Sequence, residues 1–295
     1  MITSVVLGVL GLFTAAFAVV FGRDLSKNKD KFEPETKFPL SAGIGFVTNF
    51  FDTLGIGSFA PTTAALRAFK QVKDKVMPGT LNVSCTIPVV VEALIFVSSI
   101  EVEPLTLIAM IASSVIGSII GAGIVSKLPE KKVQLVMGIA LLATALLMLS
   151  SQMGWIANLG TGEAIGLSGS KLIIGIIGNF ILGALMTAGI GLYAPCMALV
   201  YMLGMSPRVA FPIMMGSCAF LMPAASIKFV KEEAYNRKAS LAITCGGVIG
   251  VLIAAYLVKS LPLSVLTWLV IAVIIYTSIT LLRDSRKPVE VAAEE

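Results

Sequence analysis

Two short stretches of this sequence carry residues that interrupt a helix and leave backbone groups free to bind a ligand. GIGSFAP spans residues 55–61 and GIGLYAP spans residues 189–195, each inside an apolar segment. Glycine and proline break helices because glycine has excess backbone freedom and proline lacks an N–H. Pro61 and Pro195 stand where a first helical residue would lie, and the alanine before each is a poor N-cap. Uncapped N–H groups and the helix dipole favour an anion there.

The predicted substrate site consists of small and polar residues in these two stretches and in the helices around them. Proline, glycine and hydroxyl residues recur at the start of the segment after each stretch, from Pro78 and from Pro212. The alternative for these residues is close packing between membrane helices. The candidates are Asn49, Thr53, Gly55, Gly57, Ser58, Thr62, Asn82, Ser84 and Cys85 in the first half, and Thr187, Gly189, Gly191, Tyr193, Gly216, Ser217 and Cys218 in the second.

Two carboxyl groups lie inside the apolar segments, Asp52 just before the first stretch and Glu92 in the middle of a later segment. Carboxyl groups within a membrane are functional candidates because burying their charge is costly. One hypothesis is that Asp52 or Glu92 takes up a proton coupled to transport. The alternative for Glu92 is a neutral, hydrogen-bonded packing residue.

Several kinds of chemistry have no residues to carry them. The chain has no histidine, which excludes histidine metal sites, histidine proton relays and Ser-His-Asp catalysis. Its four cysteines form no CxxC pair, and no GxxxxGK[ST] loop is present for ATP. Few aromatic residues and a net charge of +5 do not suggest a nucleic-acid surface. We therefore predict no metal, no cofactor, no nucleic-acid partner and no enzyme activity.

The elements that must position these residues are membrane helices. Of the 295 residues, 57% are hydrophobic and 13% are charged, whereas soluble domains carry about 25% charged residues. Nine apolar segments can be marked, and those at 39–69 and 171–204 exceed 30 residues, too long for one straight crossing. If both are hairpins that return to their starting side, 19 of the 22 Lys and Arg residues lie inside. We predict seven full crossings and two broken, re-entrant hairpins, with the N-terminus outside and the C-terminus in the cytoplasm.

The two halves of the chain align at an offset of 134 residues. Six of the nine residues in 53–61 are identical to those in 187–195, and Pro78 aligns with Pro212. Each repeat holds one hairpin and three crossings, and this odd number inverts the second repeat. The predicted units are an N-terminal helix and cytoplasmic loop at 1–39, repeats at 40–153 and 171–284, and a cytoplasmic tail at 285–295. Inverted repeats with broken helices are typical of secondary transporters with a site near the bilayer midplane.

The GIG turn followed by proline in both halves, with a Pro/Thr/Ser-bearing helix after each, resembles the TauE/SafE family of sulfite exporters, also called DUF81 permeases. The resemblance covers most of residues 40–284, although Ser58-Phe59 and Leu192-Tyr193 stand where the family often has a longer glycine run. It implies transport of sulfite, an organosulfonate or a related sulfur-containing anion across the bacterial inner membrane.

These observations together favour an all-α polytopic membrane protein that is a secondary transporter, an exporter of a small inorganic or organic anion. Its site would lie at the two hairpin tips, with alternating access and possible coupling to protons, and its surroundings would be the lipid bilayer. A passive channel for anions or small solutes is the alternative. A membrane enzyme or assembly factor is disfavoured because no nucleophile–base pair is evident.

Overall fold

A computed structural model describes residues 2–125, 130–153, 163–186 and 192–286, and over these ranges the fold is all-α. The helices begin and end close to the limits of the apolar segments. They are α1 (Ile2–Lys27), α2 (Phe38–Thr53), α3 (Phe59–Ala68), α4 (Met77–Ser99), α5 (Pro104–Val125), α6 (Glu130–Gln152), α7 (Gly169–Met186), α8 (Tyr193–Met202), α9 (Pro207–Lys231), α10 (Arg237–Ser260) and α11 (Leu263–Arg286).

Helices of membrane-spanning length and composition make up much of the described chain. Six meet both criteria over these residues, within α1, α4, α7, α9, α10 and α11. Shorter apolar stretches lie in α5, α6 and α8. The fold is therefore that of a polytopic membrane protein, while the count of seven full crossings stays a prediction.

The first long segment is broken at the predicted place. Helix α2 ends at Thr53 and α3 begins at Phe59, and Gly55 and Gly57 between them have φ values of 95° and 89°. Only glycine adopts such angles without strain, so the GxG pattern is what turns the chain. The second segment is divided between α7 and α8, and Thr187, Gly189 and Gly191 lie outside the described residues.

Both divided segments return to the level at which they start, as the hairpin prediction requires. The Thr36 hydroxyl before α2 donates to the Gln71 carbonyl after α3 at 2.8 Å. On the other hairpin, the Ser206 N–H after α8 donates to the Ala164 carbonyl before α7 at 2.9 Å. With 16 residues, α2 is about 24 Å long, shorter than the ~30 Å hydrocarbon core.

The two halves are inverted relative to each other, because the equivalent helices α4 and α9 run antiparallel. The Asn236 N–H, just after α9, donates to the Thr80 hydroxyl at the start of α4 at 2.9 Å. At the other end, the rings of Phe96 and Phe211 stack 5.3 Å apart. The opening of the first hairpin accordingly lies beside the α9–α10 connection, where the Asn236 amide donates to the Thr36 hydroxyl.

Close helix pairs recur in the two halves at the offset found in the sequence. Gly250 of α10 packs against the carbonyl of Phe46 in α2, and Gly117 of α5 packs against the carbonyl of Phe180 in α7. Residues 46 and 180 are 134 positions apart, and residues 117 and 250 are 133 apart. The α2–α10 and α7–α5 pairs are thus equivalent, and both depend on glycine to bring two backbones together.

The prediction that Pro61 and Pro195 are first helical residues is wrong by two positions. Helices α3 and α8 begin at Phe59 and Tyr193, which makes each proline the third helical residue. Proline is tolerated there because the N–H groups of the first turn have no partner within the helix. The predicted absence of a cap is confirmed, since neither Ser58 nor Leu192 makes a side-chain cap.

Candidate functional site

The carboxyl group of Asp52 lies against the N-terminus of α3. The Ser58 hydroxyl donates to Asp52 Oδ2 at 2.9 Å, and the Ser58 backbone N–H also donates to this carboxyl group. Asp52 is only 2% exposed. It ends up here because the glycine turn reverses the chain within six residues and brings the end of α2 to the start of α3. The protein's own acid therefore occupies part of the position that the sequence suggested for a substrate anion.

The second carboxyl group, Glu92 on α4, joins the two halves of the molecule. It is fully buried and accepts hydrogen bonds from the Thr53 hydroxyl at 2.9 Å and from the Tyr193 hydroxyl at 3.1 Å. Thr53 belongs to the first half, whereas Tyr193 opens α8 in the second half. A change at Glu92 therefore alters one hydrogen bond from each hairpin.

A cavity of about 190 Å³ lies between the two hairpins and the last helix. Its walls include residues 56–61 at the start of α3 and residues 192–194 at the start of α8, together with Asp52 and Cys218. The α11 side chains from Tyr276 to Asp284 extend the walls towards the end of that helix. The C-terminal end of α11 is on the predicted cytoplasmic side, so the cavity extends from the starts of α3 and α8 in that direction.

The charge of the cavity walls is unusual for an anion site. Among the described residues, the lining includes Asp52 and Asp284 but no lysine or arginine. An anion in this cavity must therefore be held by backbone N–H groups and hydroxyl groups, and it meets Asp52 at close range. Two like charges 4 Å apart repel by about 4 kcal/mol at an effective dielectric constant near 20.

The structure places the first-half candidates in two groups. The cavity is lined by Gly57, Ser58 and Asp52. Behind them lie Thr53 and Cys85, and Ser58 Oγ is 3.7 Å from Cys85 Sγ. The others make contacts elsewhere. Gly55 lies against Met197, and the Thr62 hydroxyl donates to the Thr48 hydroxyl. The Asn49 amide and the Ser84 hydroxyl donate to carbonyl groups of their own helices. The Asn82 amide donates to the Pro78 carbonyl at an exposed position.

Of the second-half candidates that the structure describes, Tyr193 and Cys218 line the cavity. The Cys218 thiol is also 3.6 Å from Met186 Sδ. Ser217 faces α7, where its hydroxyl accepts from the Asn179 amide at 3.1 Å, and Gly216 packs against Ile111. The candidates on α9 therefore divide by helix face, and only Cys218 reaches the cavity.

Helices α6 and α11 also contribute to the cavity, which was not predicted from the sequence. Gln134 of α6 and Thr277, Thr280 and Asp284 of α11 border the cavity, and none of them was a candidate. The polar residues of the last apolar segment, spaced three and four apart, were the available signal. They mark one face of a helix, but nothing in the sequence shows which face meets the hairpins.

One comparison with known proteins gives a match to most of the chain. The profile of the family described as sulfite exporter TauE/SafE matches residues 1–148 and 172–294. The chain belongs to the sulfite exporter TauE/SafE family. It is therefore placed among membrane transporters of sulfite or related anions, and the matched ranges include both GIG stretches. No curated protein and no solved structure matched the chain.

Proposed function

We propose that this protein is a secondary transporter that exports a small sulfur-containing anion, with a proton compensating the charge inside the cavity. The observation that carries the proposal is the cavity at the starts of α3 and α8, where uncapped helix N-termini meet Asp52. Family membership supports the transport activity and the class of anion.

The charges on the cavity wall explain why a proton is needed. An ionised Asp52 repels an entering anion, and no lysine or arginine is present among the described lining residues to offset that repulsion. A protonated Asp52 removes the repulsion and leaves the N–H groups of α3 and α8 for the anion. In this account anion and proton move together. A cytoplasmic excess of the anion then drives export.

Glu92 supplies the link between the proton and the movement of the two halves. Its carboxyl group accepts from Thr53 beside Asp52 and from Tyr193 at the start of α8. When Glu92 changes protonation, the bond from Tyr193 changes strength, because hydrogen bonds to ionised groups are stronger than those to neutral groups. We propose that this bond holds the two hairpins in the state described here, with the cavity extending to the cytoplasmic side, and that alternating access breaks it.

The size and lining of the cavity favour an organosulfonate with a short carbon body. About 190 Å³ corresponds to roughly six waters at ~30 Å³ each, more than sulfite fills. Phe59, Val89 and Met222 give the walls apolar surface next to the polar end. Sulfite has no apolar part to bury there, whereas a short alkanesulfonate does.

Purified protein in proteoliposomes tests the transport activity directly. We expect efflux of sulfite and methanesulfonate that saturates with concentration and shows counterflow, and no comparable flux of chloride. Protein-free liposomes set the background, which matters because sulfite also crosses bilayers in neutral form. Flux that neither saturates nor shows counterflow would instead indicate a passive channel. An absence of anion flux in either direction would refute the proposal.

A further inference from the structure

Thr277 on α11 has a buried hydroxyl group at the cavity wall with no hydrogen-bond partner among the described residues. Buried polar groups in proteins are nearly always hydrogen-bonded, so an exception calls for a partner that the chain itself does not supply. Thr277 also lies seven residues before Asp284, about 10 Å deeper along the helix. Thr277 is thus within the cavity-lining part of α11 rather than at the helix end.

The neighbouring hydroxyl groups of α11 are already engaged. The Thr280 hydroxyl donates to the carbonyl of Tyr276 at 2.9 Å, the usual arrangement for a threonine in a membrane helix. The Ser278 hydroxyl donates to the carbonyl of Gly138 on α6 at 2.7 Å. Thr277 makes neither kind of bond, although its own helix offers the same carbonyl groups. Thr277 therefore keeps an unused donor while it lines the cavity.

We infer that Thr277 is a substrate-binding residue whose hydroxyl group donates a hydrogen bond to an oxygen of the bound oxyanion. This inference rests on the proposed function and adds α11 to the two hairpins as part of the site. A cavity without cationic side chains among its described residues must hold an oxyanion with neutral donors. The N–H groups at the starts of α3 and α8 supply some of these donors, and Thr277 supplies one from α11.

The inference makes Thr277 a specificity-determining residue. A site built to donate a hydrogen bond strongly disfavours a ligand without an acceptor at that point, because the buried donor is then left unpaired. The three oxygens of sulfite or a sulfonate can accept from Thr277 and from the N–H groups of α3 and α8 at the same time, whereas chloride is a single acceptor atom. The Thr277 hydroxyl therefore favours oxyanions over halide ions of the same charge.

Thr277→Val is the direct test, with Thr277→Ser as the rescue and Thr14→Val on α1, outside the described cavity lining, as the matched comparison. With methanesulfonate as the probe, we expect Thr277→Val to raise the half-saturation concentration about tenfold, since a hydrogen bond to a charged group is lost. Thr277→Ser keeps the donor and should stay within about threefold of the unaltered protein. Thr14→Val removes a hydroxyl that donates to the Leu10 carbonyl of its own helix, so its shift should be much smaller than that of Thr277→Val.

A second measurement keeps the inference testable if Thr277→Val fails to fold. In Thr277→Cys, modification of the new thiol by a methanethiosulfonate reagent should slow when methanesulfonate is present. Peptide mass spectrometry separates this thiol from Cys218 in the cavity and from the exposed Cys245 on α10. Any modification of Cys245, which is outside the described cavity lining, should proceed at a rate that methanesulfonate does not change.

The outcomes separate this inference from the proposed function. If the unaltered protein transports methanesulfonate but Thr277→Val has the same half-saturation concentration, the role of Thr277 is refuted and the transporter stands. Modification of Thr277→Cys that methanesulfonate does not slow would count equally against it. If the unaltered protein transports no anion, the proposed function itself fails.

Discussion

Asp52 is the residue that most changes the interpretation of the site. Its position at the end of α2 looked like a neighbour of the anion site, but its carboxyl group lies at the start of α3 and accepts the Ser58 hydroxyl. The equivalent residue in the second half, 134 positions on, is Met186. In the proposed site, this position therefore brings a titratable acid to the start of α3 and an uncharged side chain to the second half. The proposed need for a proton comes from this difference between the halves.

Tyr193→Phe tests the bond between the halves. The substitution removes the hydroxyl that donates to Glu92 and leaves the buried carboxyl group with one partner fewer. We expect methanesulfonate transport at sub-saturating concentration to slow by about tenfold, because losing a hydrogen bond worth ~1.5–3 kcal/mol depopulates the state that takes up the anion. Tyr201→Phe, also on α8, is the control, because Tyr201 is not part of the cavity wall that the structure describes. Equal rates for the two variants would contradict the role given to Tyr193.

Glu103, just before α5, gives a pH-dependent contribution to stability outside the membrane segments. Its carboxylate accepts the Thr106 hydroxyl at 2.6 Å and the Thr106 N–H at 2.8 Å, and these bonds lower the pKa of Glu103. Because the folded-state pKa lies below the unfolded one, the stabilisation is present above the unfolded pKa and is lost as pH falls through the folded pKa.

We therefore expect Glu103→Gln to lower the thermal unfolding midpoint in detergent at neutral pH. The difference from the unaltered protein should shrink when the measurement is repeated at progressively lower pH. Glu101→Gln, at an exposed position two residues earlier, is the control and should change the midpoint little. A difference for Glu103→Gln that stays constant across acidic pH would show that its carboxylate does not stabilise the start of α5.

At the scale of the helices, glycine and proline account for most of what the sequence could predict. The GxG turn fixed the break between α2 and α3, because only glycine accepts φ values near 90° without strain. Pro88 within α4 has no N–H to give to the Ser84 carbonyl, and the Thr244 hydroxyl donates to that carbonyl at 2.9 Å instead. The proline was visible in the sequence, but a partner 160 residues away was not.

Gly246→Ala tests whether close backbone contact holds α10 against α2. A Cβ at Gly246 would overlap the carbonyl oxygen of Ala42, whereas a Cβ at Gly43 would have nothing within 4 Å. We expect Gly246→Ala to lower the thermal midpoint, with a loss of about 1–3 kcal/mol typical of overpacking. Gly43→Ala should leave it equal or higher, because alanine is favoured over glycine in a helix by roughly 0.5–1 kcal/mol. Equal midpoints for the two variants would argue against this packing.

At the scale of the whole molecule, the repeat predicted the inversion but not the asymmetry of the site. The 134-residue offset and the odd number of crossings implied antiparallel halves, and α4 and α9 run antiparallel. The contribution of α11 could not be predicted, since helix rotation is set by packing against distant neighbours. The charge pattern placed the hairpin openings on opposite sides, and contacts on both hairpins agree with their return. The membrane orientation and the repeat limits stay predictions.

The molecule as a whole is proposed to move an anion and a proton together through one cavity, and proton movement during transport tests this claim most directly. Proteoliposomes loaded with methanesulfonate, clamped at zero potential and without an initial pH gradient, would carry a pH indicator inside. Methanesulfonate is suitable because it stays ionised and carries no proton itself. Joint movement predicts that outward methanesulfonate flux raises the internal pH, and that Asp52→Asn abolishes this rise. Methanesulfonate flux without any change of internal pH in the unaltered protein would contradict it.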